Sequence, residues 1–201
     1  MTRFRTRFRT SVRVRFRTRF RPRFRTRFRS KKFPADKMYE SYYMWSDITV
    51  LLPFAFQGLQ TGMGSWFRAN NVQDSTNGHS WCNYMYQDYT PGFAIDMAQM
   101  TNKTYAVWPN PQWSTFGGQY CGLEAKVYNP KTGITILMYV VDGFDTKWVR
   151  SPGSIDIMIK SYYTLLGKTT VDKNEVIPYL QWQFTGNRNP QYMFGGPGDK
   201  F

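Results

Sequence analysis

The sequence predicts a mainly β domain, and three patterns carry that prediction. Leu123–Asn129 and Ile134–Val141 alternate apolar and polar residues on either side of a Pro-Lys-Thr-Gly turn, which is typical of a β-hairpin. Gly92–Ala98 is interpreted as a short strand that leads into a helical turn. Val176–Thr185 is interpreted as the last strand. We therefore expect most of the folded chain to lie in strands.

Helices are expected to be few and short. Ile157–Leu166 has an amphipathic helical pattern, with Asp156 near its N-cap and Gly167 at its C-terminal end. The polar stretch Arg68–Pro91 and the Pro-, Gly- and Asn-rich stretch Trp108–Gly118 are predicted to be long loops. The expected architecture is thus strands accompanied by one or two short helices.

Residues 2–29 form a low-complexity Thr-Arg-Phe-Arg repeat. Residues 1–30 contain thirteen arginines and no acidic residue, whereas the other 171 residues contain 14 basic and 13 acidic side chains. Thirteen of the fourteen net positive charges therefore belong to the tract, and like-charge repulsion predicts that the tract is disordered. The repeat is interpreted either as an arm that binds polyanions non-specifically through residues 3–29, or as an expansion without a selected role.

Composition divides the chain into four segments. Residues 1–32 are the Arg/Phe tail, 33–61 a linker, 62–186 the folded domain and 187–201 a Gly/Pro/Asn tail. The linker contains an apolar run, Ile48–Phe56, which is shorter than the roughly 20 residues that a membrane-spanning helix needs. The run matches a signal-peptide core in length but not in its flanks.

Short motifs spread over residues 62–186 together resemble the double-psi β-barrel of the rare lipoprotein A-like, barwin and expansin families. They are Gly-Met-Gly-Ser-Trp-Phe from Gly62, Cys-Gly from Cys121, Val-Val-Asp ending at Asp142, and the Ile-Asp-Ile segment that runs on to Gly167. The resemblance implies a six-stranded barrel with a groove across it. In the expansin-like members, that groove takes a polysaccharide.

The resemblance also implies roles for particular residues in the groove. Asp156 matches the general acid of related glycoside hydrolases and an aspartate that expansins require, and Asp142 matches a second polar partner. The other implied groove residues are Ser65, which supplies a hydroxyl, and the aromatic residues Trp66, Phe144 and Trp148.

Each of these residues has a purely structural alternative. Asp156 could serve only to cap the predicted helix, and Asp142 could serve only to satisfy the amides of a loop. Any single aromatic residue could simply pack in the core. Of the aromatic residues, Phe144 and Trp148 are the ones expected to be exposed as a platform for sugar rings.

Catalysis is uncertain, and the sequence leans against it. Inverting hydrolysis needs a carboxylate base roughly 6.5–9.5 Å from the acid, but the place of that base falls near Arg68. Asp74 and Asp96 are the nearest substitutes, and neither fits the motif. The only histidine, His79, lies ahead of the position used by the related lytic transglycosylases. With one histidine and two cysteines, no metal site and no cofactor are expected.

The two cysteines, Cys82 and Cys121, are either a disulfide that closes a loop of about 40 residues or two buried thiols. The bridge is favoured because the resemblance implies an extracellular protein, where disulfides persist. A glycosylation sequon at Asn102 points in the same direction.

The leading hypothesis is a secreted, monomeric protein of the cell wall, similar to expansins or loosenins. It would bind cellulose, chitin or peptidoglycan in an open groove without hydrolysis. Three alternatives stay open: a secreted protein-binding module, such as a protease inhibitor or effector, on the same barrel; a weak glycoside hydrolase or lytic transglycosylase; and a nucleic-acid-binding protein that acts through the arginine tract.

Overall fold

The computed structural model describes residues 48–101 and 113–199. The Arg/Phe tail, most of the linker, the sequon at Asn102 and residues 200–201 lie outside the described residues. Within the described ranges, no helix is both long enough and apolar enough to cross a membrane.

The described part of the chain contains seven strands and three short α-helices. The strands are β1 (Ile48–Thr49), β2 (Gln60–Phe67), β3 (Gly92–Asp96), β4 (Leu123–Asn129), β5 (Ile134–Phe144), β6 (Ile155–Met158) and β7 (Ile177–Arg188). The helices are α1 (Met97–Met100), α2 (Trp113–Tyr120) and α3 (Ile159–Leu166).

Six of these strands close into a barrel in the order β7-β2-β6-β3-β5-β4, with β4 pairing back onto β7. The pairs β2–β6 and β3–β5 are parallel, and the other four pairs are antiparallel. Strand β7 is twelve residues long, so it can pair with β2 over one part and with β4 over another. Closure leaves the six strands without free edges. The predicted double-psi β-barrel is confirmed, with three short helices rather than one or two.

The barrel interior is filled by aromatic and aliphatic side chains from each of the six barrel strands. Trp182 of β7 lies at its centre, where its ring contacts the rings of Phe56, Phe93 and Phe184. The Trp182 indole N–H donates to the backbone oxygen of Gly153 at 2.8 Å, which satisfies the one polar atom of this buried side chain.

Two local predictions are wrong. The helix predicted from Ile157 begins at Ile159, because Ile155–Met158 forms a strand paired with both β2 and β3. Asp156 therefore lies within a strand and caps no helix. Residues 113–118, expected in a loop, lie in α2, whose last carbonyl groups accept hydrogen bonds from the Arg188 guanidinium. In both places tertiary contacts outweigh local propensity.

The loop that joins β2 to β3 packs on the outer surface of the barrel. Its side chains form a second apolar cluster with residues of β3, β5 and the C-terminal segment. The predicted disulfide is confirmed: Cys82 in this loop is bonded to Cys121 just before β4. Two residues after Cys82, the hydroxyl group of Tyr84 donates to the backbone oxygen of Tyr192 at 3.1 Å. The loop is thus fastened at several points.

Candidate functional site

An open cleft of about 490 Å³ lies on the outer face of the barrel. Successive residues of a strand point to opposite faces, so β2 directs Ser65 outward and Trp66 toward the core. The cleft is lined by all but one of the residues predicted for the groove, namely Ser65, Trp66, Phe144, Trp148 and Asp156. The structure therefore brings together residues that are up to 91 positions apart.

Asp156 is the central carboxyl group of the cleft. It stands directly opposite Ser65 in the parallel β2–β6 pair, and the Ser65 hydroxyl donates to its Oδ1 at 2.7 Å. Burial raises the pKa of Asp156 to about 6, although the Ser65 hydrogen bond and the positive charge of Lys173 act in the opposite direction. The negative charges of Asp74 and Asp142 raise it further. Asp156 can thus exchange a proton in the mildly acidic range.

Asp142 lies outside the cleft. It pairs with Ala94 of β3 from one side, and Asp156 pairs with Ala94 from the other, so the Cα atoms of the two aspartates are about two strand spacings, or roughly 10 Å, apart. The β2–β3 loop covers Asp142 and leaves it 6% exposed. Its oxygens accept from the N–H groups of Trp81 and Gly143 at 2.9 Å and from the Tyr86 hydroxyl at 2.8 Å.

These bonds show Asp142 in the alternative role that the sequence left open, in which it satisfies loop amides. Burial raises its pKa to about 6, and the donors Trp81, Tyr86 and Gly143 act against that rise. These donors already engage both carboxylate oxygens, and what is exposed of Asp142 faces a separate depression rather than the cleft. The geometry therefore leaves Asp156 as the carboxyl group of the pair that faces the cleft.

Asp74 is a residue of the cleft for which the sequence held no motif. It follows β2 by seven residues, and its side chain is only 1% exposed. Arg68 Nε lies 2.7 Å from its Oδ2 and Lys173 Nζ lies 2.7 Å from its Oδ1. Burial alone would raise its pKa, but the hydrogen bonds from Arg68 and Lys173 hold the pKa below its ordinary value. Asp74 is therefore a permanently charged anchor for two cations.

Trp66 is buried rather than presented to solvent. It is 2% exposed, and Lys173 Nζ lies 3.8 Å from its ring centroid, with the Arg68 guanidinium carbon at 5.5 Å. Lys173 also donates to the Trp66 backbone oxygen at 2.6 Å. Lys147 Nζ lies 5.5 Å from the Trp148 ring centroid in the same way, so burial is what distinguishes Trp66 from Trp148. Trp66 forms part of the cleft wall, and its ring is not available as a flat platform.

Trp148 is the aromatic side chain that the cleft offers to solvent. It ends a short 3-10 turn that begins after Asp145, whose side chain caps the turn by accepting the Lys147 N–H. Trp148 is 60% exposed, whereas Phe144 beside it is half-buried. A capped turn orients the indole ring, and an exposed indole can stack on the apolar face of a sugar.

The other titratable residues singled out in the sequence lie elsewhere. Asp96 caps α1 by accepting the Ala98 N–H at 3.0 Å and also accepts the Thr146 hydroxyl at 2.6 Å. His79 is exposed on the β2–β3 loop and lines a separate depression together with Asp142. Among the residues that the structure describes, no three His, Cys, Asp or Glu side chains are grouped so as to hold a metal ion.

The raised pKa of Asp156 makes the stability of the fold depend on pH. The folded carboxyl keeps its proton up to about pH 6 and the unfolded one loses it near 3.8, so the free energy of unfolding falls as pH rises through this window. Asp156→Asn is expected to be more stable than the wild type at pH 7 by on the order of 1 kcal/mol, and equal to it near pH 4. Urea unfolding at both pH values measures this difference.

The control for this experiment is Asp172→Asn, which changes an exposed aspartate in a turn. Asp142 titrates in the same window, so part of the pH slope remains in Asp156→Asn. If the difference in stability between Asp156→Asn and the wild type were the same at both pH values, the pKa of Asp156 would not be raised.

The fold and the cleft together define a double-psi β-barrel with an open surface site. No protein-family model matches the chain, and no curated protein sequence matches it. Solved structures that are similar in fold include the following two. One is a point mutant of an expansin from Clavibacter michiganensis in complex with cellohexaose, with 17% sequence identity and a TM-score of 0.39. The other is the fungal elicitor cerato-platanin, with 14% identity and a TM-score of 0.33.

These similarities are partial in length. The matched region covers 64% of this chain and 50% of the expansin chain, so this chain spans about half the length of that protein. For cerato-platanin the shares are 61% and 91%.

Proposed function

We propose that this chain is an extracellular cell-wall protein that binds a polysaccharide in the open cleft without hydrolysing it. The observation that carries the proposal is the pairing of Asp156 with Ser65 beside the exposed Trp148. A carboxyl and a hydroxyl group supply the hydrogen bonds that sugar hydroxyls need, and the indole supplies the apolar surface for a ring. The confirmed disulfide is consistent with an oxidising compartment.

The state of Asp74 supports the non-hydrolytic part of this proposal. Among the described residues that line the cleft, Asp74 and Asp156 are the two with carboxyl groups. Inversion would need one of them to take a proton from water while the other donates one. Asp74 cannot act as that base, because its oxygens already accept from Arg68 and Lys173 and its pKa is lowered. The cleft thus has an acid without a free base.

A role as a protein-binding module has one observation in its favour. Val72, at the tip of the β2–β3 loop, is 94% exposed, and exposed apolar loop tips are typical of inhibitors and effectors. A blocked groove would be expected in such a protein, whereas this cleft is open and contains polar side chains. The polysaccharide proposal accounts for the cleft and is preferred.

Binding is tested by co-sedimentation with insoluble cellulose, chitin and peptidoglycan. Asp156→Ala is expected to lower the affinity for the polysaccharide by about tenfold, because it removes the hydrogen-bonding centre of the cleft. Trp148→Ala is expected to have an effect of similar size through loss of stacking. Tyr179→Ala, which removes another exposed ring on β7 outside the cleft, is the matched control and should bind as the wild type does.

Two outcomes would count against the proposal. A wild type that binds none of the three polymers would remove it. If the wild type released soluble sugars and Asp156→Asn did not, the chain would be a hydrolase rather than a binding protein. Folding of each variant is checked by its thermal unfolding, so that loss of binding is not confused with loss of structure.

A further inference from the structure

One positive charge at the cleft has no partner among the residues that the structure describes. Arg150 is exposed and lines the cleft two residues after Trp148. No hydrogen bond or ion pair joins it to any described residue. The neighbouring cations are engaged: Lys173 is paired with Asp74 at 2.7 Å, and Lys147 with Asp145 at 2.8 Å.

The charged side chains that line the cleft are two cations and two carboxyl groups, Lys173 and Arg150 against Asp74 and Asp156. Asp74 is already paired with Lys173 in the cleft and with Arg68 beside it. Asp156 accepts the Ser65 hydroxyl. Among the described residues that line the cleft, Arg150 is therefore the cation without an ion pair, and it is placed to meet a charged group of a ligand.

We propose that the ligand is an acidic glycan, one that carries carboxylate groups as uronic acids do, and that Arg150 pairs with such a carboxylate while Trp148 stacks on an adjoining ring. This inference rests on the proposed function of the cleft as a polysaccharide site. A guanidinium group presents its N–H donors in a planar fork that matches a carboxylate in a two-point contact. Asp156 and Ser65 then face the hydroxyl groups of the chain rather than its charge.

The position of the charge within the ligand follows from the same geometry. An ionised Asp156 repels a carboxylate placed against it, whereas Arg150 attracts one. A sugar bound over Trp148 with its carboxylate toward Arg150 satisfies both groups. A neutral glycan leaves Arg150 with water as its partner and gains nothing from it.

The test uses the full chain and follows the indole N–H signals by two-dimensional NMR. Residues 1–30 contain thirteen arginines and no tryptophan, so acidic glycan held by that tract leaves the indole signals unchanged. The probes are trigalacturonate, the neutral trimer cellotriose and inorganic phosphate. Trigalacturonate is expected to shift the Trp148 indole signal with an affinity about tenfold higher than that of cellotriose.

Matched variants assign the effect to Arg150. Arg150→Gln is expected to reduce trigalacturonate affinity by about tenfold and to leave cellotriose affinity unchanged. Arg150→Lys, which keeps the charge and loses the fork, should retain part of the preference. Lys126→Gln removes an exposed charge on β4, outside the cleft, and should change neither affinity.

The failures are distinguishable. Equal affinity for the two trimers at Trp148 would overturn the acidic-glycan inference and leave the polysaccharide function standing. A Trp148 signal unmoved by either trimer would overturn both. If inorganic phosphate bound beside Trp148 with the same affinity as trigalacturonate, the site would be a simple anion site. That result would overturn the assignment of a glycan carboxylate.

Discussion

Replacing Gly62 with alanine is expected to destabilise the barrel by about 3 kcal/mol or more. Gly62 is buried in β2, and a Cβ atom there would lie 2.3 Å from the backbone carbon of Gly153 and 2.4 Å from the nitrogen of Ser154. These are backbone atoms, so no side-chain rotation relieves the clash. The strand would have to move away from the segment that precedes β6.

The same displacement should disturb the cleft. Ser65 follows Gly62 by three residues, and its hydrogen bond to Asp156 depends on the register of β2 against β6. Gly62→Ala should therefore lose the proposed polysaccharide binding and should also lower the melting temperature by about 10 °C. Thermal unfolding measures the stability, and co-sedimentation measures the binding.

The control for this substitution is Gly118→Ala. Gly118 is exposed in α2, and a Cβ atom there meets no heavy atom within 4 Å. Alanine favours a helix over glycine by about 1 kcal/mol, so this variant should be as stable as the wild type or slightly more so. If Gly62→Ala melted at the wild-type temperature, the close packing of β2 on Gly153 would be wrong.

The double variant Cys82→Ala/Cys121→Ala is expected to lose about 4 kcal/mol of stability, because the two cysteines are 39 residues apart and the bridge restricts the unfolded chain. For a domain of this size the loss corresponds to a fall of roughly 10–15 °C in melting temperature. Both cysteines are buried in the second cluster, so the bridge also holds the β2–β3 loop on the barrel.

Release of that loop should be visible at Asp142. Cys82 follows Trp81, whose N–H donates to the Asp142 carboxylate, so loosening the loop exposes this carboxyl to water. Thermal unfolding with and without a reducing agent measures the contribution of the bridge, and the double variant should be insensitive to the reducing agent. A wild type and a double variant with the same melting temperature would show that the loop is held without the disulfide.

Much of the fold was predictable because local patterns encode it. The hairpin of β4 and β5 follows from alternation around a four-residue turn, and the observed strands differ from the predicted ones mainly in the extension of β5 to Phe144. The strand before α3 was harder to predict. Ile155–Met158 is too short to alternate convincingly, and its identity depends on the two neighbours that pair with it.

The candidate site was predictable only in part. The resemblance carried by short motifs pointed to Ser65, Asp156 and Trp148, and the structure places all three residues in one cleft. It also named Asp142, which lies under the β2–β3 loop. Asp74 had no motif, since its importance comes from the two cations that converge on it from different segments.

By itself the sequence determined the β-rich class of the domain, its hairpin and its two cysteines, because alternation, turn residues and composition act over a few neighbouring positions. The tertiary structure alone decided which carboxyl groups face solvent and which cations remain free. Ser65 and Asp156 meet across 91 residues because two parallel strands are in register, whereas Asp142 is hidden because a loop folds over it. Contacts between distant segments depend on strand register and loop packing, and no local pattern carries that information.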